Sequence, residues 1–235
     1  MYLEPQRQKR GWLGVLLSVI AGIVLGVYIY MHPPRALQTV VRPTPTPTLS
    51  PLTTQELVAQ GDRLAAEGII DKAIASYEKA TQLDPECAVA FMRWARLLTW
   101  RREHSDALRL AQRAVEIDAQ SVEAQATLGM VLEWSGRDRE AIAPLLRAIE
   151  MEPTYALAYA YLAEAYADSD RLDRASEVAQ KALDMDSRNA EVLRSMGYVL
   201  ERSGNYLEAI EWYKHAVALR PRWAHLYISL GQNYR

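Results

Sequence analysis

The chain of 235 residues holds one cysteine, Cys87, which excludes an intramolecular disulfide framework and any multi-cysteine metal site. Outside the cytosol an unpaired thiol could still link two chains; the plainer reading is a small residue at the entry to a helix. An excess of charge of either sign is also missing. With 27 basic and 29 acidic residues the chain carries no electrostatic footprint for nucleic acid. The histidines His32, His104, His215 and His225 are scattered, no HExxH or glycine-rich phosphate loop occurs, and no serine sits in a nucleophile elbow. No catalytic constellation, metal site or cofactor is therefore expected, and an enzymatic activity would have to reside beyond Arg235. Carboxylates are plentiful, but their place is expected to be the solvated face of helices.

What is present begins with an uncharged run, Gly11 to Met31, whose 21 residues would form a helix of about 31 Å, enough to cross the hydrocarbon core of a bilayer. Trp12 at one end and Tyr28 and Tyr30 at the other suit the two interfaces. A cleaved signal peptide is the rival reading. The run is longer than a typical signal core, and no clear small-x-small site follows it, which favours an uncleaved anchor. Arg7, Lys9 and Arg10 precede the run, whereas only Arg35 and Arg42 follow closely, so the bias favours a cytoplasmic N-terminus. For a bacterial chain, which composition and architecture suggest, this is the inner membrane, with the remainder extracytoplasmic. Gly14, Ser18, Gly22 and Gly26 fall four apart, along a face where a second helix could pack to form a homodimer; small residues are also common in membrane helices without any such role. The domain reading is then a short basic tail at 1–10, a transmembrane helix at 11–31, a linker at 32–52 and a repeat array at 53–235. In the linker, alternating Pro and Thr deny the backbone the donors that helix or sheet needs, so an extended stalk is expected.

The array announces itself by punctuation. Asp84-Pro85, Asp118-Ala119, Glu152-Pro153, Asp186-Ser187 and Arg220-Pro221 each follow the last by 34 residues. A fixed period of this length signals one two-helix unit copied and stacked, because a unit of that size cannot bury its own apolar face. Thr53 with Glu56 makes a capping box that would start the first helix. The repeats run 54–87, 88–121, 122–155, 156–189 and 190–223, with a partial sixth at 224–235. Repeat position 8 is always small (Gly61, Ala95, Gly129, Ala163, Gly197, Gly231). Position 20 is Ala73, Ala107, Ala141, Ala175 and Ala209, and position 27 is Ala80, Ala114, Ala148, Ala182 and Ala216. Small residues in these columns let paired helices approach closely. Between the helices, Gly68, Gly136 and Gly204 can turn left-handed without strain, Asp170 tolerably, and Arg102 least easily, so the second repeat is expected to have the least regular turn. Pro144, inside a second helix, is expected to bend or loosen its first turns.

These columns resemble the tetratricopeptide repeat. Repeat five carries Leu193, Met196, Gly197, Leu200, Gly204, Tyr206, Ala209, Tyr213, Ala216 and Pro221 in the positions of that pattern, and the resemblance extends from Thr53 to the end. It implies an all-α fold, a right-handed superhelical solenoid of antiparallel helix pairs, and a scaffold that binds a protein or peptide ligand in its concave groove. In this family, positions 2, 5, 9, 12 and 13 face that groove. They place there Met92, Arg96 and Trp100, then Met130, Glu133 and Trp134, then Glu164 and Asp168, then Arg194, Tyr198, Glu201 and Arg202. Trp100 and Trp134 share a column usually polar, and the core does not require them; aromatic and Met side chains beside Arg suit a peptide-binding hot spot. The plainer reading folds each tryptophan down on a neighbouring helix. Val58, Asp62, Met92, Arg96, Ala126 and Met130 stand where a clamp for a free chain terminus needs Lys and Asn, which argues against that ligand. The leading expectation is a membrane-anchored scaffold assembling an envelope complex. The alternative is the substrate-holding region of a larger enzyme, such as a glycosyltransferase, continuing past Arg235.

Overall fold

The computed structural model describes residues 9–32 and 52–234. Arg7, Arg35, Arg42 and the linker from 33 to 51 lie outside the described residues. The chain divides into two compact units, Met1–Pro51 and Leu52–Arg235.

In the first unit, α1 (Lys9–Met31) has no charged residue after Arg10, and its described side chains stand exposed. Among the described residues it is the one helix long and apolar enough to cross a membrane, a test that a signal sequence near the N-terminus also passes. A Cβ placed on Gly14, Gly22 or Gly26 would meet nothing within 4 Å. Ser18 donates its hydroxyl to the Gly14 carbonyl at 2.9 Å, so this hydroxyl is spent within its own helix.

The second unit is all helix among its described residues. Five hairpins follow one another: α2 (Thr54–Ala66) with α3 (Ile70–Leu83), α4 (Ala88–Trp100) with α5 (His104–Ile117), α6 (Val122–Trp134) with α7 (Asp138–Met151), α8 (Ala156–Asp168) with α9 (Leu172–Met185), and α10 (Ala190–Arg202) with α11 (Tyr206–Leu219). A last helix, α12 (Ala224–Gln232), packs on α11. At the start, the Thr53 N–H donates to Glu56 Oε2 at 2.8 Å while the Glu56 N–H donates to Thr53 Oγ1 at 3.3 Å, which satisfies two backbone donors that the first turn leaves free.

The alanine columns are the contact surfaces. Ala73, Ala107, Ala141, Ala175 and Ala209 are fully buried, as are Ala80, Ala114, Ala148 and Ala216, with Ala182 at 1%. The small position 8 has a specific cause, seen when each repeat's own position 24 is set beside it. A Cβ on Gly61 would collide with the Tyr77 ring, one on Gly129 with Leu145, and one on Gly197 would lie 3.0 Å from the Tyr213 ring. Where position 24 is alanine, as in Ala111 and Ala179, position 8 is alanine too, as in Ala95 and Ala163. Volume is exchanged between two helices of one hairpin while their separation stays closed. Burying Leu145 completely contributes about 1.5–3 kcal/mol, which a larger residue at 129 would forfeit by pushing the helices apart.

All five hairpin turns use a left-handed residue: Gly68, Arg102, Gly136, Asp170 and Gly204, with φ from 56° to 80°. The expected irregularity at Arg102 does not occur. Its N–H reaches the Thr99 carbonyl at 2.9 Å and the Glu103 N–H reaches Leu98 at 2.9 Å, matching Gly136 to Glu133 at 2.8 Å and Arg137 to Leu132 at 2.9 Å. The packed hairpin therefore imposes its turn on a side chain that disfavours it by about 1–2 kcal/mol. With Pro144 inside it, α7 still runs unbroken from Asp138 to Met151, so the missing backbone donor does not end the helix.

Inner and outer helices differ in how much they hide. The outer α5 and α9 bury single stripes, such as Ala107, Leu110, Ala111 and Ala114, whereas the inner α8 and α10 are buried almost all round. This second burial is against the helices of neighbouring repeats, and it places polar residues of the inner helices away from water.

Candidate functional site

The inner helices α4, α6, α8 and α10 carry, at their C-terminal ends, Trp100, Trp134, Asp168 and Arg202 in the same repeat position. Stacking sets these ends side by side. Behind them, on the same concave face, lies a chain of ion pairs. Arg194 Nη2 donates to both Glu164 oxygens, at 2.6 and 2.7 Å, and Arg194 Nε donates to Glu191 Oε2 at 3.2 Å. Glu191 Oε1 then pairs with His225 Nε2 at 3.1 Å. The four side chains are 1% (Glu164), 3% (Arg194), 2% (Glu191) and 6% (His225) exposed, so these interactions are barely screened by solvent.

The aromatic residues close around this network. The His225 ring stacks on Trp100, with centroids 4.4 Å apart and planes at 18°, and meets the edge of Trp134 at 6.1 Å. Trp223 lies 5.0 Å from Trp100. Arg194 sits over Trp134 at 4.8 Å and Arg96 over Trp100 at 5.8 Å, both within cation–π range.

Between the helix ends opens a cavity of about 320 Å³, walled by Trp100, Glu133, Trp134, Glu164, Arg194, Tyr198 and His225. Glu133 is 5% exposed, and its Oε2 is buried without a hydrogen-bond partner. Burial, and then the nearby Glu164 carboxylate, push its pKa well above the ordinary carboxylate range. Glu191 goes the other way. Burial alone would raise it, but the hydrogen bond from His225 and the charges of His225 and Arg194 hold it below that range. Burial lifts Glu164 as well, against the opposing pull of Arg194. Glu133 and Glu191 thus differ because Glu191 has a hydrogen-bonded cationic partner on each oxygen, whereas Glu133 has burial and the Glu164 carboxylate set against the more distant charge of Arg194.

Of the residues expected to line the groove, Trp100, Glu133, Trp134, Glu164, Asp168, Arg194 and Tyr198 meet at this one cavity. Arg96 faces an adjoining cleft with Glu191 and Trp223. Arg202 stands at the rim, its Nε 3.1 Å from Asp168 Oδ1, which also accepts the Tyr198 hydroxyl at 2.6 Å. Met92 and Met130 do not line open space: they are buried to 3% and 0% in the packing between repeats, where adjacent inner helices close over them. Trp223 and His225 were not among the expected groove residues. Extending the groove columns into the sixth repeat puts His225 at position 2, the column of Glu191, so the signal existed for one of them. Trp223 ends the fifth repeat and belongs to no groove column.

The tetratricopeptide repeat family model matches residues 58–122, 127–189 and 162–222. Comparison with curated proteins gives no match. Among solved structures, the chain is similar to TTC0263, a thermophilic TPR protein of Thermus thermophilus, with a TM-score of 0.64 and 20% identity over 77% of this chain and 99% of that one. It is also similar to YrrB, described as a TPR protein with an unusual peptide-binding site (TM-score 0.46, 20% identity, 74% and 90% coverage), and to the MamA protein (TM-score 0.48, 26% identity, 73% and 93% coverage).

Proposed function

Because this chain belongs to the tetratricopeptide repeat family, whose stacked helix pairs serve as protein-interaction scaffolds, we propose that it is a membrane-anchored scaffold that seats a polypeptide segment in the concave cavity at the ends of α4, α6, α8 and α10. One observation carries the reading. Trp100 and Trp134, which no packing column calls for, converge on a cavity that also holds Arg194 and His225. Aromatic and arginine side chains gathered at a concavity are the composition of an interface hot spot.

The anchor is α1. Its apolar surface supports a single pass, and the basic residues ahead of its apolar run support a cytoplasmic N-terminus, which would leave the array on the outer side of a bacterial inner membrane, in a position to assemble an envelope complex. The open face at Gly14, Gly22 and Gly26 suits close approach by a second copy of α1, and hence a homodimer.

Site-specific photo-crosslinking of the intact, membrane-embedded chain tests the groove. A photoreactive residue at Gln232, on the cavity rim, should yield a polypeptide adduct that Trp134→Ala removes, whereas the same residue at Leu146, exposed on the outer helix α7, should not. Equal labelling from both positions would contradict the assignment.

A further inference from the structure

The charges around the cavity are nearly all engaged. Arg194 is shared between Glu164 and Glu191, and Asp168 accepts from Tyr198 and pairs with Arg202. Three buried polar atoms of the cavity's lining residues are not: Glu133 Oε2, Trp100 Nε1 and His104 Nδ1. Glu133 Oε2, on a side chain 95% buried, has given up water without gaining a hydrogen bond, which is costly. Burial and the neighbouring Glu164 carboxylate both disfavour its charged form. The group that would complete it is a cation carrying N–H donors, which restores the carboxylate by pairing with it.

We infer that the cavity is a receptor for a basic side chain, lysine or arginine, of a bound polypeptide, with Glu133 as its carboxylate partner and the Trp100 indole N–H donating to a carbonyl of the same segment. The inference rests on the reading of the concave face as a peptide site, and it names what that site selects. A free amine is the other source of such a cation, and Trp100 argues against it. An alkylamine brings no acceptor for the indole N–H, whereas a peptide brings a carbonyl beside every side chain. The volume of about 320 Å³ lies at the small end of ligand cavities, which suits one anchoring side chain with its flanking backbone.

The test uses the full chain in detergent micelles and follows tryptophan fluorescence. The probes are short blocked alanine peptides with one central arginine, lysine or citrulline, together with agmatine. Citrulline keeps the shape of arginine without its charge. The arginine or the lysine peptide should bind saturably and about tenfold or more tighter than the citrulline peptide, the scale of one charge-assisted hydrogen bond. Glu133→Gln, nearly isosteric with the protonated acid, should abolish that preference and leave circular dichroism unchanged. Equal binding of charged and neutral peptides to the unaltered chain overturns the inference while leaving the peptide reading standing, and this comparison needs no variant to fold. Agmatine binding as tightly as the arginine peptide overturns the choice of a polypeptide. Failure of every peptide overturns the inference, and the crosslinking from Gln232 then decides separately whether the concave face binds protein at all.

Discussion

The outer and inner helices of this array carry charges in contrasting ways. On the outer α9, Lys181 bonds Glu177 at 2.6 Å with both side chains more than half exposed, at 51% and 66%. On the inner α8 and α10, Glu164 and Arg194 bond at the same 2.6 Å and are 1% and 3% exposed. Equal distances therefore conceal unequal energies. The outer pair is screened by water and holds two long side chains for little gain. The inner pair sits where losing one partner strands the other. The outer helices use charge for solubility, while the inner helices commit it to a fixed arrangement around the cavity.

The largest separation between the two regions should come from removing one ion. Arg194→Ala leaves Glu164 buried without its cation and Glu191 with His225 alone, and should cost about 3–5 kcal/mol in urea unfolding of the chain. A loss no greater than that of an exposed pair would mean that the network is hydrated. Next in size is the fit between position 8 and position 24. Gly129→Ala pushes a methyl into Leu145 and should cost about 1–3 kcal/mol, as should Ala141→Leu in the neighbouring column. Gly129→Ala with Leu145→Ala recreates the alanine pair of the second repeat, so the double change should cost less than the sum of the two, a coupling that a double-mutant cycle reads directly.

A third effect separates two acids of the inner face by pH. The folded-state pKa of Glu133 lies above its unfolded value of about 4.5. The protonated acid is thus fully accommodated below that pH, and the fold loses stability as pH rises toward the raised value. Glu133→Gln should therefore be more stable than the parent chain at neutral pH, with the difference fading below about pH 4.5. Glu191, held low, contributes above the ordinary carboxylate range and loses its contribution only as pH falls well below it. A Glu133→Gln advantage that stays constant with pH would contradict the burial argument. The smallest effect belongs to the outer face, where Lys181→Ala should leave the urea midpoint essentially unchanged.

The fold was legible because packing repeats itself. Alanine at positions 20 and 27 and a small residue at position 8 mark the contact surfaces in every repeat, and every alanine of columns 20 and 27 is buried. The exchange of volume between positions 8 and 24 was equally present in the sequence, but it shows only when the two columns are compared within each repeat. Arg102 is the reverse case, where local preference pointed to an irregular turn and the packed hairpin prevailed. At the cavity, Trp100 and Trp134 stood out because their column gave them no structural duty. Their contact with His225 joins the second and third repeats to the sixth, and it depends on the rotation accumulated over the intervening helices, which no local spacing records. The burial of Met92 and Met130 has the same origin, since it depends on how closely successive inner helices approach.

The concave face is tested most directly by the indole N–H resonances of the tryptophans, read with and without the polypeptide captured from position 232. The resonances of Trp100 and Trp134 should shift on binding, while that of Trp212, on the outer helix α11, should hold its place. A shift at Trp212 with Trp100 and Trp134 unmoved would contradict the concave face as the binding surface.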